Sequence, residues 1–216
     1  MISYLLFDLD GTLTNPKEGI TKCVQYALRH FQIDEPDLDK LIPFIGPPLR
    51  QSFMDFYGFD EAQATLAVAK YRERFSTVGL FENFPYPGIA AMLQQLQQQG
   101  KIMAVASSKP TIFVRQILEK FELAPYFQVI EGSNIDGSRV EKKEVIAEVL
   151  RQLGNPPAQQ LLMVGDRKFD VIGAREMGLG CVGVRFGFAA PGELEDSGAV
   201  YIAETVADLQ AYLCSV

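Results

Sequence analysis

Short, nearly unbroken apolar runs recur along the chain, at Tyr4–Phe7, Ile102–Ala106, Gln128–Ile130, Leu161–Val164 and Cys181–Val184, each bounded by polar residues, glycine or proline. A run of that length that is apolar on both faces is the pattern of a strand buried on both sides of a parallel sheet. Between the runs, over Ile89–Gln99, Ile112–Phe121, Glu144–Leu153 and Val171–Met177, apolar residues fall three and four positions apart, as in Ile112, Val114, Ile117, Leu118 and Phe121. That spacing predicts amphipathic helices. Strand and helix in alternation predict right-handed crossovers and an α/β fold, a doubly wound parallel sheet with helices on both faces.

The rhythm breaks between about Asn15 and Phe81, where helical patterns at Ile20–Phe31, Leu49–Tyr57 and Glu61–Phe75 follow one another with no buried strand between them. The expected division is therefore a core made of residues 1–14 and 82–216, with residues 15–81 as a small α-helical domain inserted after the first strand. Entry through Thr14-Asn15-Pro16 and return through Phe84-Pro85-Tyr86-Pro87-Gly88 mark the candidate hinges, because proline stiffens the backbone and glycine redirects it. Phe44, Phe53 and Phe56 are expected to fill the core of the insertion, and Gln94–Gln99 to form a solvated helix face.

Hydrophobic residues at 48% and charged residues at 22% of the 216 describe a globular chain. A net charge of −7, from 27 acidic against 20 basic side chains, speaks against a surface that coats nucleic acid. The apolar start MISYLLFDLD is broken by Asp8 and carries no basic leader, so neither a secretory signal nor a membrane span is expected. Cys23, Cys181 and Cys214 are odd in number and lack metal-ligand spacing, which favours a reducing, cytoplasmic setting. The single histidine, His30, leaves no material for a triad or a multi-histidine metal site. Carboxylates must carry any chemistry.

Three of the expected strands end alike, the apolar run giving way at once to small or acidic groups: Phe7 to Asp8, Ala106 to Ser107, and Val164-Gly165 to Asp166. In an open parallel sheet the ligand crevice lies beyond the carboxyl ends of the strands, where the winding reverses, so polar residues at three such ends converge. Asp8-Leu9-Asp10-Gly11-Thr12 alone is equally compatible with an ordinary Asx-type turn. A second pair, Asp166 and Asp170, changes that balance, because four carboxylates in one crevice repel one another unless a cation is present. Oxygen donors without Cys or His select a hard ion, and a site that keeps waters and a phosphate suits Mg²⁺ better than Ca²⁺.

Phe7-Asp8-Leu9-Asp10-Gly11-Thr12-Leu13, Val105-Ala106-Ser107-Ser108-Lys109, and Val164-Gly165-Asp166 with Asp170 resemble, in order and spacing, the signature of the haloacid dehalogenase superfamily. The resemblance spans essentially the whole chain, and the helical insertion is similar to that superfamily's small α-helical cap. Gly46-Pro47-Pro48-Leu49 and Asp166-Arg167-Lys168-Phe169-Asp170 look most like the phosphoglycolate phosphatase and 5'-nucleotidase-like branch. The resemblance implies a magnesium-dependent hydrolase of a small phosphorylated metabolite, phosphoglycolate-like or a nucleoside monophosphate, acting as a monomer or homodimer without nucleic-acid polymer or membrane. Asp8 would be the nucleophile that forms an aspartyl-phosphate, and Asp10 the acid and base that serves both half-reactions. Mg²⁺ would be held by an Asp8 oxygen, the Asp10 backbone carbonyl and Asp166, with Asp170 ligating indirectly or orienting the shell.

By the same resemblance, Ser107 would offer its hydroxyl to the phosphoryl group, beside Ser108, whose alternative is to cap the following helix. Lys142 would neutralise the transferring group, with Lys143 as its rival. Lys109 either lines the phosphate pocket or salt-bridges a helix end. Gly11 and Thr12 would present backbone amides to phosphate, and Arg50 would meet a second anionic group of the substrate, against a solvated charge opening a helix. A dehalogenase, a sugar-phosphate mutase, a pyrophosphatase and a receiver-like module are the rival readings; Asp10 argues against the first and the insertion against the last.

Overall fold

A computed structural model describes residues 2–216. The backbone divides into two compact units, one of them Pro16–Phe84 and the other the chain through Asn15 together with Pro85–Val216. In chain order the elements are β1 (Tyr4–Phe7), β2 (Thr14–Asn15), α1 (Lys17–His30), α2 (Leu49–Tyr57), α3 (Glu61–Phe75), β3 (Phe84–Pro85), α4 (Ile89–Gln98) and β4 (Ile102–Pro110). There follow α5 (Thr111–Lys120), β5 (Val129–Ser133), α6 (Lys142–Gln152), β6 (Leu161–Gly165), α7 (Lys168–Glu176), β7 (Gly180–Val184), α8 (Glu193–Ser197), β8 (Tyr201–Ala203) and α9 (Val206–Ser215).

The larger unit is built on a six-stranded parallel sheet in the order β5-β4-β1-β6-β7-β8. The chain winds outward from β1 to β4 and β5, then returns to the other side of β1 for β6, β7 and β8, which makes β1 the switch point. Leu5, Leu6 and Phe7 are fully buried, as a strand covered on both faces requires, and each such side chain contributes about 1.5–3 kcal/mol. On one face Leu6, Ala104, Leu161, Met163 and Cys181 pack with Val145, Ile146 and Val149 of α6 and Val171 and Ala174 of α7. The alternate residues, among them Leu5, Met103, Val105 and Val164, are buried too, and α4, α5 and α9 supply the cover for that face.

Four elements depart from the apolar pattern for physical reasons. Strand β4 continues past Ala106 to Pro110 through an irregularity in its pairing with β5, and its last residues are polar because they leave the core behind. Helix α7 begins at Lys168 rather than at Val171, its first turn being polar because it carries Asp170. The edge strand β8 and helix α9 lie outside the predicted set; a three-residue strand with only Ala203 buried has too little apolar periodicity to stand out.

The Pro16–Phe84 unit is helical. Val24 and Leu28 of α1, Phe53 of α2, and Ala64, Ala67, Tyr71 and Phe75 of α3 are buried with Leu41 and Phe44 from a 3₁₀ turn over Leu38–Phe44. Phe44 packs edge-on against Phe53, but Phe56, expected inside, is half exposed, its ring edge-on to Phe44 at the flank of α2. Arg74 of α3 forms a two-pronged pair with Glu82, at 2.7 and 2.9 Å, which fastens the end of this unit to its longest helix. Among the described residues, no helix is long and apolar enough to cross a membrane.

Candidate active site

Register alone gathers the acidic residues. Phe7 lies opposite Val105 on one side and Val164 on the other, so the next residues of the three strands leave the sheet at one level: Asp8, Ala106 with Ser107, and Gly165 with Asp166. The Asp8 amide still donates to the Val164 carbonyl at 2.9 Å. Beyond it the chain turns sharply: Leu13 and Thr14 donate to the Leu9 carbonyl and Gly11 donates to that of Thr14. Gly11 has φ +87°, and a methyl group there would overlap the Asp166 carboxylate, so only glycine lets this turn close against β6.

Lys142 is the first residue of α6, behind a cap in which the Glu144 carboxylate accepts from the Glu141 amide at 3.1 Å. A cation at the first turn opposes the helix dipole and gains nothing locally. What holds it is the site: its Nζ lies 2.7 Å from Asp8 Oδ1 and 2.6 Å from Asp170 Oδ1, and donates to the Ala106 carbonyl at 3.0 Å. Burial disfavours the ammonium, yet Asp170 and Asp8 outweigh that and hold its pKa above the usual lysine value. Its rival Lys143 points elsewhere, to an exposed pairing with Glu176.

Asp170 occupies the third position of α7, where Oδ2 accepts from the Arg167 amide at 3.0 Å. Asp166 is fully buried. Its Oδ2 accepts from the Phe188 amide at 2.8 Å, whereas Oδ1 has no hydrogen-bond partner among the described residues. Burial and then the charges of Asp170 and Asp8 push the Asp166 carboxyl well above the ordinary range.

Asp10 is paired with Lys109, whose Nζ lies 2.6 Å from Asp10 Oδ2. Lys109 therefore closes on the acidic turn instead of bridging a helix end. Burial raises the Asp10 pKa, with Lys109 pulling the other way and Asp8 adding to the rise. Ser107 is buried at the same strand end, its Oγ accepting from the Lys109 amide at 3.3 Å. The helix-cap alternative for Ser108 is not realised: it lies within β4, α5 starts after Pro110 with no side-chain cap, and the Ser108 carbonyl accepts from Ser133 Oγ at 2.8 Å. Thr12 is fully buried with its hydroxyl unpartnered. Arg50 belongs to the helical unit, where one guanidinium nitrogen pairs with Glu61 on an exposed face.

The donor set fits a hard dication. One oxygen from each of Asp8, Asp166 and Asp170 can be chosen so that all three lie within 4.8 Å of one another. The four carboxylates of Asp8, Asp10, Asp166 and Asp170 stand against the two ammonium groups of Lys109 and Lys142, a formal excess of two negative charges. Asp10 turns Oδ2 to Lys109, while its Oδ1 has no hydrogen-bond partner among the described residues.

Residues 5–184 match the family model of the haloacid dehalogenase-like hydrolases. The chain belongs to that family. Similar to it is a 5'-nucleotidase of Pseudomonas aeruginosa, 50% identical over 190 residues that cover 88% of this chain and 86% of that one. Tyrosine-protein kinase PtkA of Mycobacterium tuberculosis is 38% identical over 85% of this chain, which spans only 62% of that longer protein. The crystal structure of a predicted phosphatase from Clostridium acetobutylicum superposes with a TM-score of 0.97 at 46% identity, each chain covered completely. These similarities place the chain among the phosphatases of the haloacid dehalogenase-like hydrolases.

Two contributions to this haloacid dehalogenase-like site have no signal in the apolar pattern. The Phe188 amide is one, because a backbone donor is the same in every residue. The other is Tyr86, inside the proline-rich stretch read as a hinge: its ring packs edge-on against Phe186 and its buried hydroxyl has no partner. Burial, with Asp166 and Asp10 adding to it, raises its pKa, so the hydroxyl stays protonated.

Proposed function

We propose that this phosphatase is magnesium-dependent and hydrolyses a small phosphate monoester in two steps through a phosphorylated Asp8. The observation that carries the reading is the position of Asp8: at the carboxyl end of the central strand, with Lys142 on one carboxylate oxygen and Asp166 and Asp170 within reach of a shared cation. In the first step an Asp8 oxygen attacks phosphorus, the ester P–O bond breaks, and the departing oxygen takes its proton from Asp10. In the second, water attacks the same phosphorus, gives a proton to Asp10, and the bond from phosphorus to Asp8 breaks to release phosphate. Burial of Asp10 beside Lys109 supports a group that changes protonation state between the two steps.

Asp8, Asp166, Asp170 and the Asp10 carbonyl would hold Mg²⁺, which when bound supplies charge neutralisation as one anion approaches another. Lys142 steadies the Asp8 carboxylate, and the Ser107 and Thr12 hydroxyls would receive phosphoryl oxygens, whereas the Gly11 and Thr12 amides, expected to do so from the sequence, already donate to the Thr14 and Leu9 carbonyls within the turn. Residues 16–84 would serve as the cap that selects the leaving group. The substrate class proposed is a nucleoside monophosphate, on the strength of the 50% identity to a protein named 5'-nucleotidase, with phosphoglycolate-like esters as the second class. Cys23, Cys181 and Cys214 form no disulfide among the described residues, which supports a cytoplasmic setting.

The test is a phosphate-release screen with Mg²⁺ over nucleoside monophosphates, phosphoglycolate, sugar phosphates and pyrophosphate. Asp8→Asn should lose nearly all turnover and chelation should silence the wild type. Near-normal release by Asp8→Asn would exclude the nucleophile. Asp10→Asn should impair alkyl esters far more than aryl esters with good leaving groups, since only the former need a strong proton donor.

A further inference from the structure

Outside the acidic cluster, one buried carboxylate collects an unusual number of donors. Glu193 opens the short helix α8, and its side chain is about nine-tenths buried. Its Oε1 accepts from Arg167 Nε at 2.8 Å and from the Lys168 amide at 2.8 Å, while Oε2 accepts from the Ala190 amide at 3.1 Å. Arg167 is similarly buried. Exposed ion pairs are worth little, but buried, charge-assisted bonds of this kind are strong and directional.

The partners of Glu193 come from two different segments, the junction of β6 with α7 and the loop after β7. Arg167 and Lys168 follow β6 and sit between Asp166 and Asp170, and the Arg167 amide is itself held by Asp170. Ala190 lies in the loop after β7, the loop whose Phe188 amide holds Asp166 Oδ2. In that loop Gly187 passes so close that a methyl group on it would overlap both the Asp166 side chain and the Gly11 carbonyl. A small separation of the two segments would therefore release Asp166 from Phe188 and let the carboxylate rotate.

We propose that Glu193 is a positioning residue for the cation site. By tying the two segments together it keeps Oδ2 of Asp166 on the Phe188 amide and leaves Oδ1 turned toward the ligand. The inference rests on the cation reading of the acidic cluster, and it assigns to Glu193 the affinity of that cluster without any contact to the ion. A supporting group of this kind typically changes metal affinity 10–100-fold.

The experiment is a titration of the full chain with Mn²⁺, followed by calorimetry and by the loss of the free-ion paramagnetic resonance signal. Glu193→Gln, of the same shape, and Glu193→Ala are compared with wild type and with Glu195→Gln, which removes an exposed pairing to Arg185 on the same helix. Unfolding midpoints are taken without metal. The expected result is dissociation constants raised about 10–100-fold in the Glu193 variants and unchanged in Glu195→Gln, with turnover recovering at saturating Mg²⁺. Should Glu193→Ala fail to fold, the isosteric Glu193→Gln carries the comparison. Wild-type affinity in a folded Glu193→Gln, whatever its stability, would overturn this inference alone. No binding by the wild type would overturn the cation reading and the inference with it.

Discussion

Lys109 Nζ lies 2.6 Å from Asp10 Oδ2, and both side chains are nearly buried. Removing one member of such a pair leaves the other charge without compensation, which costs more than the pair itself is worth. Lys109→Met should lower stability by about 3 kcal/mol, and adding Asp10→Asn should return at least half of it. Urea unfolding of the single and double variants reads this directly. Additive losses would mean that the two groups do not interact.

The two neighbouring lysines of α6 should behave oppositely. Lys142→Met removes the ammonium that touches Asp8 and Asp170, and phosphate release should fall about 10²–10³-fold. Lys143→Met breaks an exposed pairing with Glu176, so turnover should stay near wild type and stability within about 0.5 kcal/mol. Steady-state kinetics on the two variants, with equal losses, would remove Lys142 from the site.

At Gly11 the expected defect is local. Gly11→Ala forces a methyl group into the Asp166 carboxylate at a left-handed backbone position, for a backbone cost of about 1–2 kcal/mol before the collision is counted. The unfolding temperature should drop without metal, and added Mg²⁺ should raise it less than it raises the wild type. An unchanged Mg²⁺-dependent shift would show that the turn does not shape the cation site.

Acid should weaken the helical unit through Glu82. Hydrogen bonds from Arg74 and then Lys22 hold its carboxyl below the usual value, against burial. The folded pKa lies under the unfolded one, so the pairing contributes stability that is present above the unfolded pKa and is lost as pH falls through the folded one. Glu82→Gln should cost about 1–2 kcal/mol at neutral pH and flatten the acid limb of stability against pH. Parallel curves for variant and wild type would refute the assignment.

The sheet was legible where burial on both faces left no room for polar residues, as in Leu5, Leu6 and Phe7 or Leu161 to Val164. The acidic residues were legible because two carboxylate pairs, Asp8 with Asp10 and Asp166 with Asp170, each follow such a run, where one pair alone would read equally as an Asx-type turn. Edge elements were not: β8 and α9 bury few residues and carry weak periodicity. Nor was the partner of Lys109, because the meeting of the ends of β4 and β1 depends on register, which only the assembled sheet sets. Glu193 escaped for the same reason. Nothing near it in sequence says that two segments from neighbouring strands will meet on its carboxylate.

The place of β1 between β4 and β6 has a consequence for how the protein comes into being. β1 is a strand whose two edges are both filled by segments translated much later. Until then its apolar ribbon stands with unpaired amides and carbonyls on either side, an open invitation to stray association. The nascent chain thus waits for both neighbours of the strand that ends at Asp8, and no partial product ending before Asp170 can possess the finished acidic cluster.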